Sequence, residues 1–358
     1  MAKVKVLIVD DSALVRKLLR DIMESDPGIE VVGVAPDPII AIQKIKQLMP
    51  DVLTLDIEMP RMDGLTFLGK LMKAHPMPVL MFSSLTEQGA EATMKALALG
   101  AIDFLPKPKA KLSSAIDDLS ADLVSKVKAA AQAKLKKAVA PPSLSVPPKL
   151  SMDAIIQADK RRHFKDGERV LVIGASTGGT VAIEQILNKL PENAPPTVIV
   201  QHMPPVFTKS FADRMNTLSA MHVVEAAGGE RLRRGMALIA PGGRHMLVGQ
   251  DANGYFVTVK EGPPVNRHIP SVDVLFRSAA NTLGTNAIGV ILTGMGDDGA
   301  RGMKEMKDAG AYTIAQDEDS CVIFGMPKVA IDLGGVSKIM PLQAIAGAVM
   351  GMLKEGGR

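Results

Sequence analysis

Over its first hundred or so residues the chain alternates short apolar runs with stretches whose apolar positions recur every three or four residues. The runs Val4 to Val9, Val31 to Val34, Val52 to Leu55, Val79 to Phe82 and Ile102 to Leu105 predict five buried strands. The stretches between them predict helices, the first opened by Ser12 as an N-cap. Strands alternating with helices imply a doubly wound parallel sheet. From about Lys109 to Lys137 an Ala/Leu/Lys pattern predicts a last helix running on as a basic amphipathic segment. Residues 138 to 168 then carry Pro141-Pro142, Pro147-Pro148, scattered serines and Lys160-Arg161-Arg162-His163, which is linker composition.

A second alternation starts near Glu168. Val170 to Ile173 predicts a buried strand, and a helical pattern from Val181 to Leu190 follows. Then come strand Thr197 to Val200, helix Thr208 to Leu218 and strand Val223 to Ala226. Gly235 to Lys260 (MALIAPGG, HMLVG, YFVTVK) alternates short strands with turns and reads as a β-hairpin excursion. Helix Ser271 to Leu283, strand Ala287 to Leu292, another helix, strand Tyr312 to Ala315 and terminal helices complete a second α/β domain.

Composition narrows the function classes. Hydrophobic residues make up 47% of 358, enough for two sizeable cores. No apolar run approaches the ~20 residues of a membrane span, so membrane insertion is not expected. The first apolar run ends at Asp10-Asp11, which argues against a secretory signal. The one cysteine, Cys321, fits a reducing cytoplasm and reads as a small core residue. Net charge is +4 and aromatics are 3%, so a base-stacking nucleic-acid surface is not expected.

Ligands of doubly wound sheets bind beyond the carboxyl ends of the strands. There the first domain places Asp10-Asp11, Asp56, Ser83-Ser84 and Lys107-Pro108. Three neighbouring carboxylates repel one another and call for a cation, for which oxygen-seeking Mg²⁺ is suited. A lysine can contact an oxyanion as a point charge, and the Ser83 hydroxyl can hydrogen-bond it. The set predicts phosphorylation of a carboxylate: Asp56 attacks, Asp10 and Asp11 hold the metal, and Lys107 steadies the phosphoryl group. The stretches VDDSALVRK, DVLTLDIEMPRMDG, VLMFSS and GAIDFLPKP resemble the receiver domain of bacterial two-component response regulators. That resemblance implies phosphate transfer to Asp56 from a histidine kinase, the Glu58 backbone carbonyl in the metal shell, and Ser83 with Phe104 as a switch pair. No DNA-reading unit follows, so the transcription-factor reading of a receiver loses support.

In the second domain, Gly174-Ala175-Ser176-Thr177-Gly178 joins a strand to a helix and fits G-x-S-x-G, with Ser176 at the apex. The flanking glycines are expected to supply backbone angles that a Cβ would obstruct. A dinucleotide loop is the rival reading, but the next strand runs into Gln201 and His202 rather than an acid for a ribose hydroxyl. A tyrosine four residues before a lysine is missing too: Tyr255 is followed by Val259 and Tyr312 by Gln316. A purely structural glycine turn is the bland option for Ser176 alone. The serine needs a base. His75, His163 and His222 read as surface residues, and His245 and His268 as groove or structural residues. His202 ends the strand predicted beside the elbow strand. Asp297 and Asp298 follow another strand at the same edge, and spacing does not choose between them.

GASTGG, QHMPPVFT, LTGMGDDGARG and CVIFGMP resemble the catalytic domain of the chemotaxis protein-glutamate methylesterases, the CheB family. The resemblance implies a flavodoxin-like receiver at 1–125, a linker at 126–167, and a mostly parallel α/β esterase domain at 168–358. It makes Ser176 the nucleophile, His202 the base and Asp298 the orienting acid, with Thr177 and Met295 beside the oxyanion. Ile269 stands where a polar or basic residue is often found. The implied substrates are glutamate γ-methyl esters, and glutamine amides, on the cytoplasmic helices of chemoreceptors. No cofactor is expected in the esterase site. The receiver is expected to act as a lid released by phosphorylation, in a cytoplasmic monomer. A phosphorylation-gated binding protein with a dead second domain, and a nucleotide-dependent oxidoreductase, are the competing classes.

Overall fold

The computed structural model describes residues 3–59, 62–107, 113–133, 149–159 and 168–355. Pro108, the two Pro-Pro pairs and the Lys160–His163 run lie outside them. The chain divides into two compact units, Met1–Ser143 and Leu144–Arg358.

The first unit is a five-stranded parallel sheet of β1 (Val4–Val9), β2 (Ile29–Ala35), β3 (Val52–Asp56), β4 (Val79–Ser83) and β5 (Asp103–Pro106), ordered β2-β1-β3-β4-β5. The strands β3 and β4 are buried along their whole length, which is why they read as unbroken apolar runs. Edge strand β2 alternates buried and open positions, so its run in the sequence is shorter than the strand. Helices α1 (Ala13–Glu24), α2 (Pro38–Leu48), α3 (Gly64–Ala74) and α4 (Glu87–Ala98) start at Ser12, Asp37, Asp63 and Thr86. Each of these side chains accepts one or more of the first orphan N–H groups. Helix α5 (Ser113–Gln132) runs past residue 125 and packs Leu123, Val124 and Val127 into the core with β1 and β4.

The second unit holds a seven-stranded sheet, parallel throughout. Its strands are β6 (Val170–Ala175), β7 (Thr197–Gln201), β8 (His222–Glu225), β9 (Met236–Ile239), β12 (Ala287–Ile291), β13 (Tyr312–Gln316) and β14 (Lys338–Met340). The order is β14-β13-β12-β6-β7-β9-β8. Two expectations change here. Met236–Ile239 pairs in parallel with β7 and β8, so the excursion narrows to the antiparallel pair β10 (His245–Asp251) and β11 (Gly254–Lys260). Strand β14, with two of its three residues exposed, carries too weak an apolar signal to be read from sequence. Helix α8 (Val272–Thr282) is buried along most of its length and fills the core with Leu275, Phe276 and Ala279, against Met303 and Met306.

Residues 149–159 belong to this second unit. Met152 and Ile155 pack with Leu247, Val265 and Val274. The Arg277 guanidinium, buried in α8, pairs with Asp153 and Glu305 and donates to the Ile156 carbonyl. Lys260 Nζ donates to the Ile155 carbonyl.

Candidate functional site

Strand β6 is the hinge of the second unit, with β7 on one side and β12 on the other. At such a point crossovers leave in opposite directions and open a crevice at the carboxyl edge. Register pairs Ala175 with Gln201 and Gly174 with Ile291, so the residues just beyond those ends are neighbours. Ser176, His202 and the loop Thr293–Asp298 occupy that edge.

The elbow is tied to both neighbours. Ser176 N–H donates to the Thr293 carbonyl at 3.1 Å, and His202 N–H to the Ala175 carbonyl at 3.1 Å. The Gln201 amide donates to the Ser176 carbonyl at 2.9 Å. Gly178 takes φ 78°, a left-handed conformation that favours glycine, and a Cβ there would meet Val322 at 2.7 Å. Gly174 is a strand residue; a Cβ on it would meet Val272 at 2.1 Å, so close packing and not backbone freedom requires it. Ser176 is not among the described residues with positive φ. The sequence pattern is therefore that of a nucleophile elbow without a left-handed serine.

His202 Nε2 lies 2.8 Å from Asp298 Oδ2, with the imidazole side chain only 7% exposed. Its Nδ1 is buried and has no hydrogen-bond partner, so no bond joins it to Ser176 Oγ. Catalytic hydrogen bonds are often unformed in the absence of substrate. The His268 ring stacks on His202 with centroids 3.7 Å apart and planes 11° apart.

Asp298 sits at the N-terminus of α8 and collects donors. Oδ2 accepts from Val272 N at 2.7 Å as well as from His202. Oδ1 accepts from Ser271 Oγ at 2.8 Å, Asn266 Nδ2 at 2.9 Å and Asp273 N at 3.2 Å. Burial alone would push the Asp298 carboxyl up. The hydrogen bond and charge of His202, the charge of His268 and the Asn266 amide outweigh it and hold this carboxyl below the usual range. An ionised Asp298 accepts only, so the shared proton resides on His202 Nε2 and the Nδ1 lone pair is left open. Asp297, which spacing left as an alternative, points instead to an ion pair with Lys149. Met295 follows Gly294, whose Cβ position is 2.8 Å from Ser176 Cβ. Thr177 is buried, and its carbonyl accepts from Thr293 Oγ1 at 3.0 Å.

His245 is wholly buried, with Nε2 bonded to the Pro263 carbonyl and Nδ1 accepting from Ser271 N. It supports the loop that carries Ser271, and burial pushes its imidazole down. Sequence reasoning missed Gln201, Asn266 and Ser271. Ser271 preceding α8 was the available signal, since a cap there stands at a helix N-terminus.

In the first unit, carboxylate oxygens of Asp10, Asp11 and Asp56 lie within 4.8 Å of one another. Lys107 Nζ is 2.6 Å from Asp56 Oδ2, and Glu58 N–H donates to Asp56 Oδ1 at 3.1 Å. Asp10 Oδ2 is buried with no hydrogen-bond partner, an atom that a hard cation would satisfy. Burial raises Asp10, and it raises Asp56 to about 6 against the opposing hydrogen bond from Lys107. Arg16, which the sequence did not single out, donates to the carbonyls of Asp10 and Asp11 and braces the acid pair. Ser83 Oγ donates to the Gly89 carbonyl at 2.9 Å, and Phe104 is buried near Lys126.

A family model described as CheB methylesterase matches residues 171–349, half of the chain. A protein-glutamate methylesterase/protein-glutamine glutaminase of Geobacter metallireducens is 54% identical over 356 residues, covering 99% of this chain and 97% of its own. The chain belongs to the CheB methylesterase family. A relative of the same description from Dechloromonas aromatica is 56% identical over 355 residues and covered to 99%. The crystal structure of the Thermotoga maritima CheB methylesterase catalytic domain, 38% identical, is covered in full and matches 52% of this chain with a TM-score of 0.51. Residues 6–117 match the response regulator receiver domain. Family membership thus joins a hydrolase domain to a two-component receiver, as expected from the sequence motifs.

Proposed function

We propose that the second unit hydrolyses glutamate γ-methyl esters, and deamidates glutamines, on the cytoplasmic helices of methyl-accepting chemoreceptors. The observation that carries this reading is the buried His202 ring, with Nε2 bonded to Asp298 and Nδ1 without a partner at the edge where Ser176 emerges. Nδ1 takes the Ser176 proton as Oγ attacks the ester carbonyl. Backbone N–H groups at Thr177 and Met295 stabilise the oxyanion, where one donor is worth ~10²–10³ in rate. The imidazolium, steadied by Asp298, returns the proton to the departing methanol, or to ammonia from an amide. Water activated at Nδ1 then clears the acyl-enzyme. The esterase steps call for no cofactor.

The receiver restrains this activity until a chemotaxis histidine kinase phosphorylates Asp56. Asp10, Asp11, Asp56 and the Glu58 carbonyl would hold Mg²⁺, which supplies positive charge to the carboxylates and the incoming phosphoryl oxygens. Asp56, titrating near 6, is ionised at neutral pH and free to attack. Lys107 steadies the phosphoryl group, and Ser83 with Phe104 registers its arrival. Phosphorylation shifts activity only by as much as it stabilises the released state over the restrained one. The working protein is a cytoplasmic monomer of receiver (1–125) and catalytic domain (168–358) joined through residues 126–167, of which Val127 packs in the core of the first unit and Met152 and Ile155 pack on the second. The test is methanol release from methylated receptor membranes, with and without a small phosphodonor. Release that rises with phosphodonor supports the reading; a chain that binds receptor without releasing methanol refutes it.

A further inference from the structure

Residues Val265 to His268 close a tight reverse turn. Val265 N–H donates to the His268 carbonyl at 3.0 Å, and His268 N–H to the Val265 carbonyl at 2.8 Å. The two residues at its tip, Asn266 and Arg267, both have positive φ, 50° and 71°. That is a type I′ geometry, which accepts Asn readily and arginine at a cost. A strained turn of this kind persists where its surroundings hold it. Here the Asn266 backbone N–H is held by the Leu150 carbonyl at 3.0 Å, from the segment docked on this unit.

The turn delivers one side chain between two buried acids. Asn266 Nδ2 donates one hydrogen to Asp273 Oδ2 at 2.6 Å and the other to Asp298 Oδ1 at 2.9 Å. Both carboxylates are 1% exposed. Asp273 has a second donor, Gly302 N–H at 2.7 Å. Two carboxylates this close in a dry setting repel strongly unless a donor lies between them. Burial first, and the Asp298 charge after it, push Asp273 up to about 7. Asn266 is the shared donor.

We propose that Asn266 is a positioning residue for the hydrolytic site: by bridging Asp273 and Asp298 it holds the Asp298 carboxylate in place and tempers the charge that this carboxylate presents to His202. It touches no reacting atom and works through Asp298. This inference rests on the Ser176–His202–Asp298 reading and adds a fourth member to it. The other titratable or charged groups near the cluster include Asp297 with its Lys149 partner, His245 behind Ser271, His268 stacked on His202, and Asp153, Arg277, Arg301, Lys304 and Glu305, which line a cavity together with Asn266 and Asp273.

Asn266→Gly in the full-length chain removes the amide while keeping a residue that adopts φ 50° without strain. With one donor lost, the negative charge of Asp298 bears more fully on His202 and favours the imidazolium. The acid limb of the kcat profile then moves up by about one pH unit, a ~tenfold loss of rate below it, with KM unchanged within about twofold. Asn266→Asp keeps size and turn preference but puts an acceptor where the donor was, and moves the limb at least as far. The imidazole NMR signals of His202, followed against pH, read the same shift without substrate. Because that titration needs no turnover, it separates this inference from the triad reading, which fails instead if Ser176→Ala still hydrolyses ester. An acid limb and a His202 titration that stay put in folded Asn266→Gly, or that move to lower pH, overturn the proposal.

Discussion

Asp298→Asn changes one atom of the site and tests its wiring. In the native arrangement Oδ2 accepts from His202 Nε2 and Val272 N, and Oδ1 from Ser271 Oγ, Asn266 Nδ2 and Asp273 N. An amide offers one acceptor and one NH₂ group. Placed at the Oδ1 position, the NH₂ faces three donors; placed at Oδ2, it faces one backbone donor and an imidazole that can change tautomer. The second orientation wins. The NH₂ then donates to His202 Nε2, the ring proton moves to Nδ1, and the lone pair that would accept the Ser176 proton is gone. An orienting Asp exchanged for Asn in a Ser-His-Asp hydrolase lowers kcat by ~10⁴, which is the loss expected here. The stranded Val272 N–H adds a stability cost of about 1–3 kcal/mol. At about 2–4 °C per kcal/mol for a unit of this size, the thermal midpoint falls by several degrees. The assay is methanol release under saturating substrate, with the melting curve taken on the same sample. A folded Asp298→Asn protein that keeps more than a tenth of wild-type kcat would refute this reasoning. Asp297→Asn, which loses the pair with Lys149 and a charge felt by Asp273 but no hydrogen bond to His202, is the matched control and stays within about threefold.

Asp56→Asn abolishes stimulation by phosphodonor and leaves basal methanol release. The Asp56 carboxyl is raised from 3.8 to about 6 in the folded receiver, so its stabilising contribution is complete below 3.8 and lost as pH rises through 6. The same variant therefore melts higher than wild type at pH 7 but not at pH 3.5, which calorimetry at the two pH values checks. Removal of the receiver raises basal activity, and the starting residue matters. A chain beginning at Lys149 keeps Met152, Ile155 and Asp153, whereas one beginning at Glu168 loses two buried side chains, ~3–6 kcal/mol of burial, as denaturant melts of the two will show. His245 is buried with its imidazole pushed below 6.5, so its contribution to stability is complete above 6.5 and lost as pH falls through the folded value. His245→Asn flattens the fall in melting temperature of the catalytic unit between pH 7 and pH 5; an equally steep fall in the variant contradicts the assignment.

What the sequence made legible follows from burial. Strands β3, β4, β6 and β7 are covered on both faces, so their apolar runs stand out and their polar termini mark the edge where Asp56, Ser83, Ser176 and His202 lie. Less was legible where short strands carry few apolar residues. Met236–Ile239 looked like part of a hairpin because only a short turn separates it from the next apolar run, although its partners are parallel. The support of the site was hidden for a different reason. Asn266 and Ser271 reach Asp298 across 32 and 27 residues of sequence through a positive-φ turn and a helix cap. No local period encodes such contacts. Spacing likewise did not separate Asp297 from Asp298, because it does not encode which of two adjacent carboxylates turns toward His202 and the α8 N-terminus; in the structure Asp298 does.

The central claim is that Ser176 Oγ carries the acyl group on its way from ester to water. It is tested most directly by quenching the protein during turnover of a glutamate-methyl-ester substrate and locating any acyl adduct by mass spectrometry, beside the Ser176→Ala variant. The account predicts an adduct on Ser176 in the wild type, and neither adduct nor methanol release in Ser176→Ala. Methanol release at near wild-type rate from Ser176→Ala, or an adduct on another side chain, would contradict it.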